Sequence, residues 1–382
     1  PAPRTRFRGA LVVAVVALAR VLLIAAGLLV RSFEALRTVD KGFVATDVLS
    51  ARLRFPTERY DDRDAWLAFM DQVRARLRAT PGVRDAAVSL LVPLSDRSWE
   101  RRAISEDRPI EEADQHSYLY GIVSPEYFDV LQVPILYGRV FNSEDGPDGT
   151  LVTVIDERMA AEFWPGQSPV GRRVFLGERI PAAEEGGAPT PIYRTVIGVS
   201  RNVRHYELAA PSRMQAYVPH TQAIGVYGAG VYALARTSVP PTDVAGPLRA
   251  AVAELDADIP ITNLQPLGDY VDEELGSSLA MGRLFSAFGV AALLLAGLGI
   301  FGVVSWTVIR RTREIGIRMA RGADATRVLR GVLRNALRSV VAGTVIGLAA
   351  AALLSRYLES LLFGVRGVDP MTYAGLAAVL LA

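Results

Sequence analysis

The sequence predicts a membrane protein in which a bundle of four α-helices, the last one truncated, carries a large α+β extracytoplasmic domain between helices 1 and 2. Two observations lead to this fold class. Apolar runs of membrane length stand near both ends of the chain, whereas the long middle stretch alternates short strand and helix patterns. We therefore expect residues 1–30 to form a cytoplasmic lead and helix 1, residues 31–283 the inserted domain, and residues 284–382 the membrane domain of helices 2–4.

The first predicted crossing is the run ALVVAVVALARVLLIAAGLLV at residues 10–30, preceded by Arg4, Arg6 and Arg8. Its length of about 21 residues suits the roughly 30 Å of hydrocarbon in a bilayer. A cleaved signal peptide shares the basic lead, but its apolar core is typically about 7–15 residues long, so an uncleaved anchor is the better interpretation. Arg20 lies within the run and either faces a helix bundle or a second subunit, or snorkels to the surface.

Three further apolar runs complete the predicted bundle, at residues 284–309, at residues 339–354 and from Pro370 onward. Arginines precede the run at residues 10–30, and they are dense between the runs at residues 284–309 and 339–354. Basic loops stay in the cytoplasm, so both of these segments are expected there. The segment between the first two crossings is then outside. Because the last run stops at the end of the sequence, we expect the chain to be a fragment of a longer product.

The inserted segment has the pattern of a soluble mixed fold. VLSARLRF alternates like a strand, and DAWLAFMDQVRARLRAT places Trp66, Phe69, Val73 and Leu77 on one helical face. In YGIVSPEYFDVLQV, Ser124 is the expected cap of a short helix. TLVTVIDERMAAEFW predicts a strand followed by a helix, YRTVIGVSRNVRH predicts another strand, and the last part of the insert predicts a helix, a strand and an acidic helical lead into the second crossing.

The residue types exclude several functions. The chain has no cysteine, its three histidines are far apart, and neither a G-x-x-x-x-G-K-[ST] loop nor a G-x-S-x-G elbow occurs. We therefore expect no catalytic site, no metal, no cofactor and no ATPase activity in this chain. A net charge of +2 gives no global signal for nucleic acid.

The string GLGIFG matches a dinucleotide fingerprint in its letters but lies within an apolar helix pattern. A real fingerprint follows a strand and opens a helix. We therefore interpret Gly297, Gly299 and Gly302 as small residues for close helix packing.

The string RRTREIGIRMARGA, at residues 310–323, directly follows the second apolar run. Read as a helix, it places Glu314 four residues from both Arg310 and Arg318, and it places Ile315 beside Met319. An ordinary positive-inside loop explains the arginines. A docking helix also explains the apolar pair and the glycines, and the residues alone leave both interpretations open.

This string resembles the R-T-R-E-I-G-I-R-M-A-L-G-A motif of FtsX-like permeases of the MacB type, departing at Arg321, where the family has an apolar residue. SPEYFDVLQVPILYGRVF, AAEFWPGQSPVGRRV and YRTVIGVSRNVRH resemble the periplasmic core domain of the same family. The resemblance implies a cytoplasmic helix that contacts an ATPase. Its residues would be Arg311, Thr312, Arg313, Glu314, Ile315, Gly316, Ile317, Arg318, Met319, Gly322 and Ala323.

The resemblance further implies a multi-pass protein of the inner (plasma) membrane that borrows ATP energy from an ABC ATPase subunit. Its other expected partners are the lipid bilayer and a second permease half, either in the same chain, as in the tandem-repeat permeases, or in a homodimer. The expected function is export or extrusion of a periplasmic substrate. Two alternatives remain: a regulator that activates an extracytoplasmic hydrolase, and a signalling or scaffold protein without an ATPase.

Overall fold

The computed structural model describes residues 3–56, 59–95, 99–107, 117–180, 190–224, 230–320 and 341–354. The chain forms two compact units, one of Pro1–Val39 with Leu275–Ala382 and one of Asp40–Glu274. The predicted domain boundaries after residues 30 and 283 both fall inside helices. Hydropathy marks where an apolar run stops, whereas polar helix formers continue the same helices beyond it.

The first unit is helical in its described part. It contains α1 (Pro3–Thr38), most of α6 (Leu267–Ala320) and a helix at Val341–Leu354, which we call α7. Among the described residues, one helix is long and apolar enough to cross a membrane, at Val13–Thr38, and α6 and α7 contribute shorter apolar stretches. The count of four crossings stays a prediction, and the run from Pro370 lies outside the described residues.

The second unit is an α+β domain built on one sheet, as predicted. Its described strands are β1 (Val48–Leu53), β2 (Val83–Ser89), β3 (Glu100–Arg102), β4 (Ile104–Ser105), β5 (Ser117–Val123), β6 (Ile135–Gly138), β7 (Val152–Asp156), β8 (Arg173–Ile180), β9 (Thr190–Ser200), β10 (Gln215–Pro219), β11 (Val231–Thr237) and β12 (Ile261–Pro266). Its remaining helices are α2 (Arg63–Arg78), α3 (Tyr127–Leu131), α4 (Glu157–Phe163) and α5 (Pro241–Leu255).

The sheet runs β12-β1-β11-β2-β5-β10-β7-β9-β8-β4, with β3 beside β5 and β6 beside β9. The four strands at the beginning of this order, β12, β1, β11 and β2, pair in antiparallel fashion. Along the chain, β1, α2, β2, β11, α5 and β12 give the β-α-β-β-α-β order of a ferredoxin-like unit. Everything from β3 to β10 is inserted between the second and third strands of that unit. By this chain order we name the two parts of the domain the ferredoxin-like lobe and the inserted lobe, the latter with the parallel pairs β5–β10 and β7–β9. The two parts share one sheet and one apolar core.

The core confirms the predicted helical face of α2. Trp66, Phe69, Val73 and Leu77 are all buried against the sheet, together with apolar residues of α5. The predicted cap at Ser124 is wrong. α3 begins only at Tyr127, and the Ser124 hydroxyl instead accepts a hydrogen bond from Val88 N–H at 3.2 Å, because the buried end of β2 offers it an unpaired donor.

Candidate functional site

The predicted ATPase-coupling segment continues α6 without a break as far as Ala320. Arg311, Thr312, Arg313, Glu314, Ile315, Gly316, Ile317, Arg318 and Met319 are thus helical, and Arg321, Gly322 and Ala323 lie outside the described residues. The Thr312 hydroxyl turns back onto its own helix, 2.9 Å from the carbonyl oxygens of Val308 and Ile309.

Apolar side chains in this part of α6 are exposed. Ile317, inside the coupling segment, is 54% exposed, and Ile309, at the end of the preceding apolar run, is 72% exposed. An exposed isoleucine beside arginines suits a helix that docks into an apolar groove with a charged rim. Helical spacing places Ile315 and Met319 on one face, as the sequence predicts.

Close packing between α1 and α7 occurs at glycines that the sequence analysis did not select. A Cβ atom at Gly347 of α7 would lie 2.9 Å from the Ala17 carbonyl oxygen, and one at Gly343 would lie 2.9 Å from that of Val13. Within the described residues, a Cβ at Gly297 or Gly302 would meet nothing within 4 Å. A packing role for Gly297, Gly299 and Gly302 stays a prediction and requires a neighbour beyond these helices.

Arg20 packs against α7 inside the helical unit. Its side chain is fully buried, its Nη2 lies 3.5 Å from the Thr344 hydroxyl of α7, and its Cβ would be 2.7 Å from a Cβ at Gly347. The structure thus supports the bundle-facing interpretation over snorkelling, since an intramembrane charge normally lies against protein.

The inserted lobe contains a buried ion pair. Arg194 of β9 donates from Nε and Nη2 to the carboxylate of Glu178 on β8, and neither side chain is exposed. Gln222 accepts from Arg194 through both its side-chain and its backbone oxygen, at 3.1 and 2.8 Å. The Tyr120 hydroxyl donates to Glu178 at 2.6 Å. Such complete pairing makes a buried charge tolerable and fixes three strands in one register.

A second buried polar group links β7 to β10. Asp156 accepts hydrogen bonds from Met159 N–H and Gln215 N–H, each at 3.0 Å, and from the Asn202 amide. Burial raises the pKa of Asp156 to about 6, although these hydrogen bonds act in the opposite direction. The Tyr217 hydroxyl donates to Gln215 Oε1 at 2.7 Å.

His205 completes this second group, with its Nε2 3.4 Å from the Tyr217 hydroxyl. Burial lowers the pKa of His205 to about 3. The imidazole is thus neutral at physiological pH and lies in a buried polar cluster.

Sequence reasoning did not select Arg194, Glu178 or Asp156. The sequence signal for such residues is a charged residue at a position where an alternating strand has a buried side chain. In PIYRTVIGV, for example, Arg194 occupies one of the buried positions of β9. Within the ranges described above, no group of three or more His, Cys, Asp or Glu side chains could hold a metal ion.

These features define a class of protein: a helical membrane unit joined to an α+β domain, with a basic-apolar segment that contains the exposed Ile317 in the last described turns of α6. The model of the MacB-like periplasmic core domain family matches residues 10–251, and that of the FtsX-like permease C-terminal family matches residues 286–382. The chain belongs to the MacB-like periplasmic core domain family and carries the FtsX-like permease C-terminal region.

Relatives of known name are similar over about 60% of the chain. The macrolide export ATP-binding/permease protein MacB of Shewanella sp. is 26% identical over 239 residues, which are 61% of this chain and 34% of the relative. The "Probable syringafactin export ATP-binding/permease protein SyfD" of Pseudomonas syringae pv. tomato is 27% identical over 234 residues, 59% of this chain and 32% of the relative. The chain spans about a third of the length of these curated relatives.

Two solved structures are similar to part of the chain. The periplasmic region of MacB from Actinobacillus actinomycetemcomitans has a TM-score of 0.38 and 15% identity, covering 60% of this chain and 94% of that one. The extracellular domain of the noncanonic ABC-type transporter YknZ from Gram-positive bacteria has a TM-score of 0.35 and 18% identity, covering 56% of this chain and all of that one.

Proposed function

We propose that this chain is the permease subunit of an ABC-type system in the inner membrane. A separate ATPase hydrolyses ATP, and the permease conveys the resulting motion to its periplasmic domain, which acts in export of a periplasmic substrate. The observation that supports this proposal is the extent of α6, which begins in the α+β unit at Leu267 and is still helical at Ala320. A hydrogen-bonded helix is a stiff element, so a displacement at the coupling segment is conveyed along it.

The chain itself supplies no ATP chemistry in this proposal. It has no P-loop sequence, and ATP binding appears only in the names of relatives of which the matched segment is about a third. We expect the purified chain to hydrolyse no ATP, and we expect hydrolysis to appear when the cognate ABC ATPase is added.

The coupling segment is proposed to dock on that ATPase through Glu314, Ile315 and Met319. Glu314→Arg would place a charge of the wrong sign in the contact, and Ile315→Asp would place a charge in its apolar part. Each is expected to abolish co-purification with the ATPase and its stimulation. Both variants should still insert in the membrane, because the changes lie beyond the apolar part of α6.

Glu254→Arg is the matched control for charge reversal. Glu254 is exposed near the C-terminal end of α5 and pairs with Arg76 at 3.1 Å. Both side chains are exposed, so reversing this charge should cost only about 1 kcal/mol. This variant should bind and stimulate the ATPase normally. Unchanged stimulation by Glu314→Arg and Ile315→Asp would exclude the docking role, and the absence of any ATPase effect by the wild-type chain would favour a scaffold without an ATPase.

The proposed topology is multi-pass, with residues 40–274 on the periplasmic side. In sealed vesicles of inside-out orientation, protease should leave this unit intact, and in right-side-out vesicles it should cut it. Cleavage of the unit in the inside-out preparation would place it in the cytoplasm and reject the topology.

A further inference from the structure

The segment between β9 and β10, residues 201–214, contacts the chain at both ends of the α+β unit. One contact lies just after α1, at residues 40–42, and the other lies on the first turns of α6, at Glu274. We call residues 201–214 the stalk bridge, because the two contacted segments lead directly to the two membrane helices.

The first contact is close enough to require a glycine. The Arg204 N–H donates to the Lys41 carbonyl oxygen at 3.0 Å, and Arg201 Nη1 lies 2.7 Å from Asp40 Oδ2. Gly42 has a φ of +76°, and a Cβ atom there would lie 2.0 Å from the Asn202 carbonyl oxygen. Any side chain at Gly42 would therefore push the stalk bridge away from the segment that follows α1.

The second contact is made by the next turn of the stalk bridge. The Leu208 N–H donates to the Glu274 carboxylate on α6, and the Glu207 carboxylate lies near enough to repel it. Burial is the larger cause that raises the pKa of Glu274, Glu207 adds to it, and the Leu208 hydrogen bond opposes both. Leu208 itself is buried, so this part of the bridge does not lie free in solvent.

One residue joins the two contacts. Arg204, whose N–H holds Lys41, also donates from Nη1 to the carbonyl oxygens of Leu208 and Ala210, both at 2.8 Å. A continuous series of hydrogen bonds thus runs from Lys41 through Arg204 and Leu208 to Glu274. A guanidinium suits this position because its planar donors can hold two carbonyl groups at once.

The stalk bridge is also fixed to both lobes of the domain. Asn202 donates to Asp156, at the end of β7 in the inserted lobe, and to the Arg213 carbonyl oxygen. The His205 carbonyl oxygen accepts from Leu94 N–H at 2.8 Å, in the segment that leaves β2 of the ferredoxin-like lobe. A shift of the bridge therefore reaches both lobes.

We propose that the stalk bridge couples the two attachment segments through Arg204, so that displacement of either one moves both and is conveyed to the two lobes together. Its purpose in conveying ATP-driven motion rests on the proposed function, whereas the coupling itself is a property of this domain alone. Because both contacts depend on Arg204, loss of the hydrogen bonds in one contact is expected to weaken those in the other.

Amide hydrogen exchange of the full chain in lipid nanodiscs tests the coupling. Glu274→Ala removes the acceptor of Leu208 N–H and should speed exchange there. It should also speed exchange of the Arg204 amide and of Val44, whose N–H donates to the Leu131 carbonyl oxygen, by about twofold or more. The reciprocal variant Gly42→Ala should speed exchange of the Leu208 amide, since coupling between two sites acts in both directions.

Asp272→Ala is the matched control, because Asp272 is an exposed acidic residue on the same part of α6. It should change none of these amides. In an Arg204→Met background, Glu274→Ala should no longer affect Val44. If Glu274→Ala speeds amide exchange at Leu208 alone, the proposal is wrong. It is also wrong if exchange in β11 rises as much as at Val44, because that would indicate opening of the whole domain.

The outcome is separable from that of the proposed function, since hydrogen exchange needs no ATPase. If amide exchange shows the coupling but the chain binds no ATPase, the coupling through the stalk bridge stands and its role in conveying ATP-driven motion is rejected. ATPase stimulation that is lost in Glu314→Arg, together with purely local exchange effects in Glu274→Ala, would support the proposed function and reject the bridge.

Discussion

Arg194 and Glu178 form a two-point ion pair between adjacent strands, and both side chains are withdrawn from solvent. Arg194→Met would leave the buried Glu178 carboxylate with only the more distant Arg101, whose Nη1 lies 3.9 Å away. Removing one partner of a buried pair typically costs about 3–5 kcal/mol of unfolding free energy. Denaturant unfolding of the detergent-solubilised chain, followed by tryptophan fluorescence, measures this loss.

The matched control for that pair is Arg173→Met on the same strand as Glu178. Arg173 lies 2.9 Å from Glu106, but both side chains are nearly half exposed, so its loss should cost about 0–1 kcal/mol. The double variant Arg194→Met/Glu178→Met should recover part of the stability lost in the single variant, because no buried charge remains. Equal costs for Arg194→Met and Arg173→Met would contradict this account.

Asp156 and His205 should give pH slopes of opposite sign. The pKa of Asp156 rises to about 6 in the folded chain, so its contribution to stability is present below about pH 4 and is lost as pH rises through 6. The pKa of His205 falls to about 3, so its contribution is present above about pH 6.5 and is lost as pH falls toward 3. Between about pH 4 and 6 the two effects largely cancel.

Single variants separate these two slopes. With Asp156→Asn, stability should rise with pH between about 4 and 6, by as much as about 1.4 kcal/mol per pH unit relative to the wild type. With His205→Gln, it should fall by a similar amount over the same range. Unfolding free energies measured at half-unit pH steps provide the check, and parallel profiles for both variants and the wild type would refute the assignment.

Gly138 and Gly166 both have a left-handed backbone conformation, but only Gly138 has a close neighbour. Comparing alanine substitutions at the two positions therefore separates the cost of a steric clash from the cost of backbone strain. Gly138 has a φ of +74° and a Cβ there would lie 2.2 Å from the Ile197 carbonyl oxygen, whereas Gly166 has a φ of +72° and open space around it. Gly166→Ala should cost only the strain, about 1–2 kcal/mol. Gly138→Ala should cost clearly more stability, because the backbone of β9 must also move. Similar melting temperatures for the two variants would argue against the close approach of Gly138 to Ile197.

Packing of α1 against α7 should depend on Gly347 and not on Gly297. The chain has no cysteine, so Ile24→Cys with Ala351→Cys, two residues of one buried cluster, gives a clean cross-linking reporter. Gly347→Leu should strongly reduce cross-linking. Gly297→Leu should leave it unchanged, and if the predicted packing role of Gly297 is correct, this variant should instead weaken association with a second permease half.

Local patterns predicted the elements well. The apolar face of α2, the β7–α4 step and the acidic start of α6 were all visible in the sequence, because each depends on spacing within a few residues. The insertion of one lobe between β2 and β11 was not visible. Pairing such as Ala233 with Val88 joins distant parts of the chain, and no local pattern encodes it.

The candidate site was predicted less completely. The basic-apolar string at residues 310–320 was identified, and its helical backbone is confirmed as far as the structure describes it. The stalk bridge was missed, because Arg204 and Glu274 resemble ordinary surface charges in sequence. Their roles come from backbone atoms of Lys41 and Leu208, which carry no residue-specific signal.

The neighbouring positions of β1 and β12 also bear on how such proteins change over time. Leu49 pairs with Pro266, so the polypeptide enters and leaves the α+β unit on adjacent strands. A module whose ends meet in this way can be inserted into a loop of a host protein, or replaced by another, without a change in the spacing that the host requires. The α+β unit thus meets the geometric requirement for gain, loss or exchange as a whole during evolution.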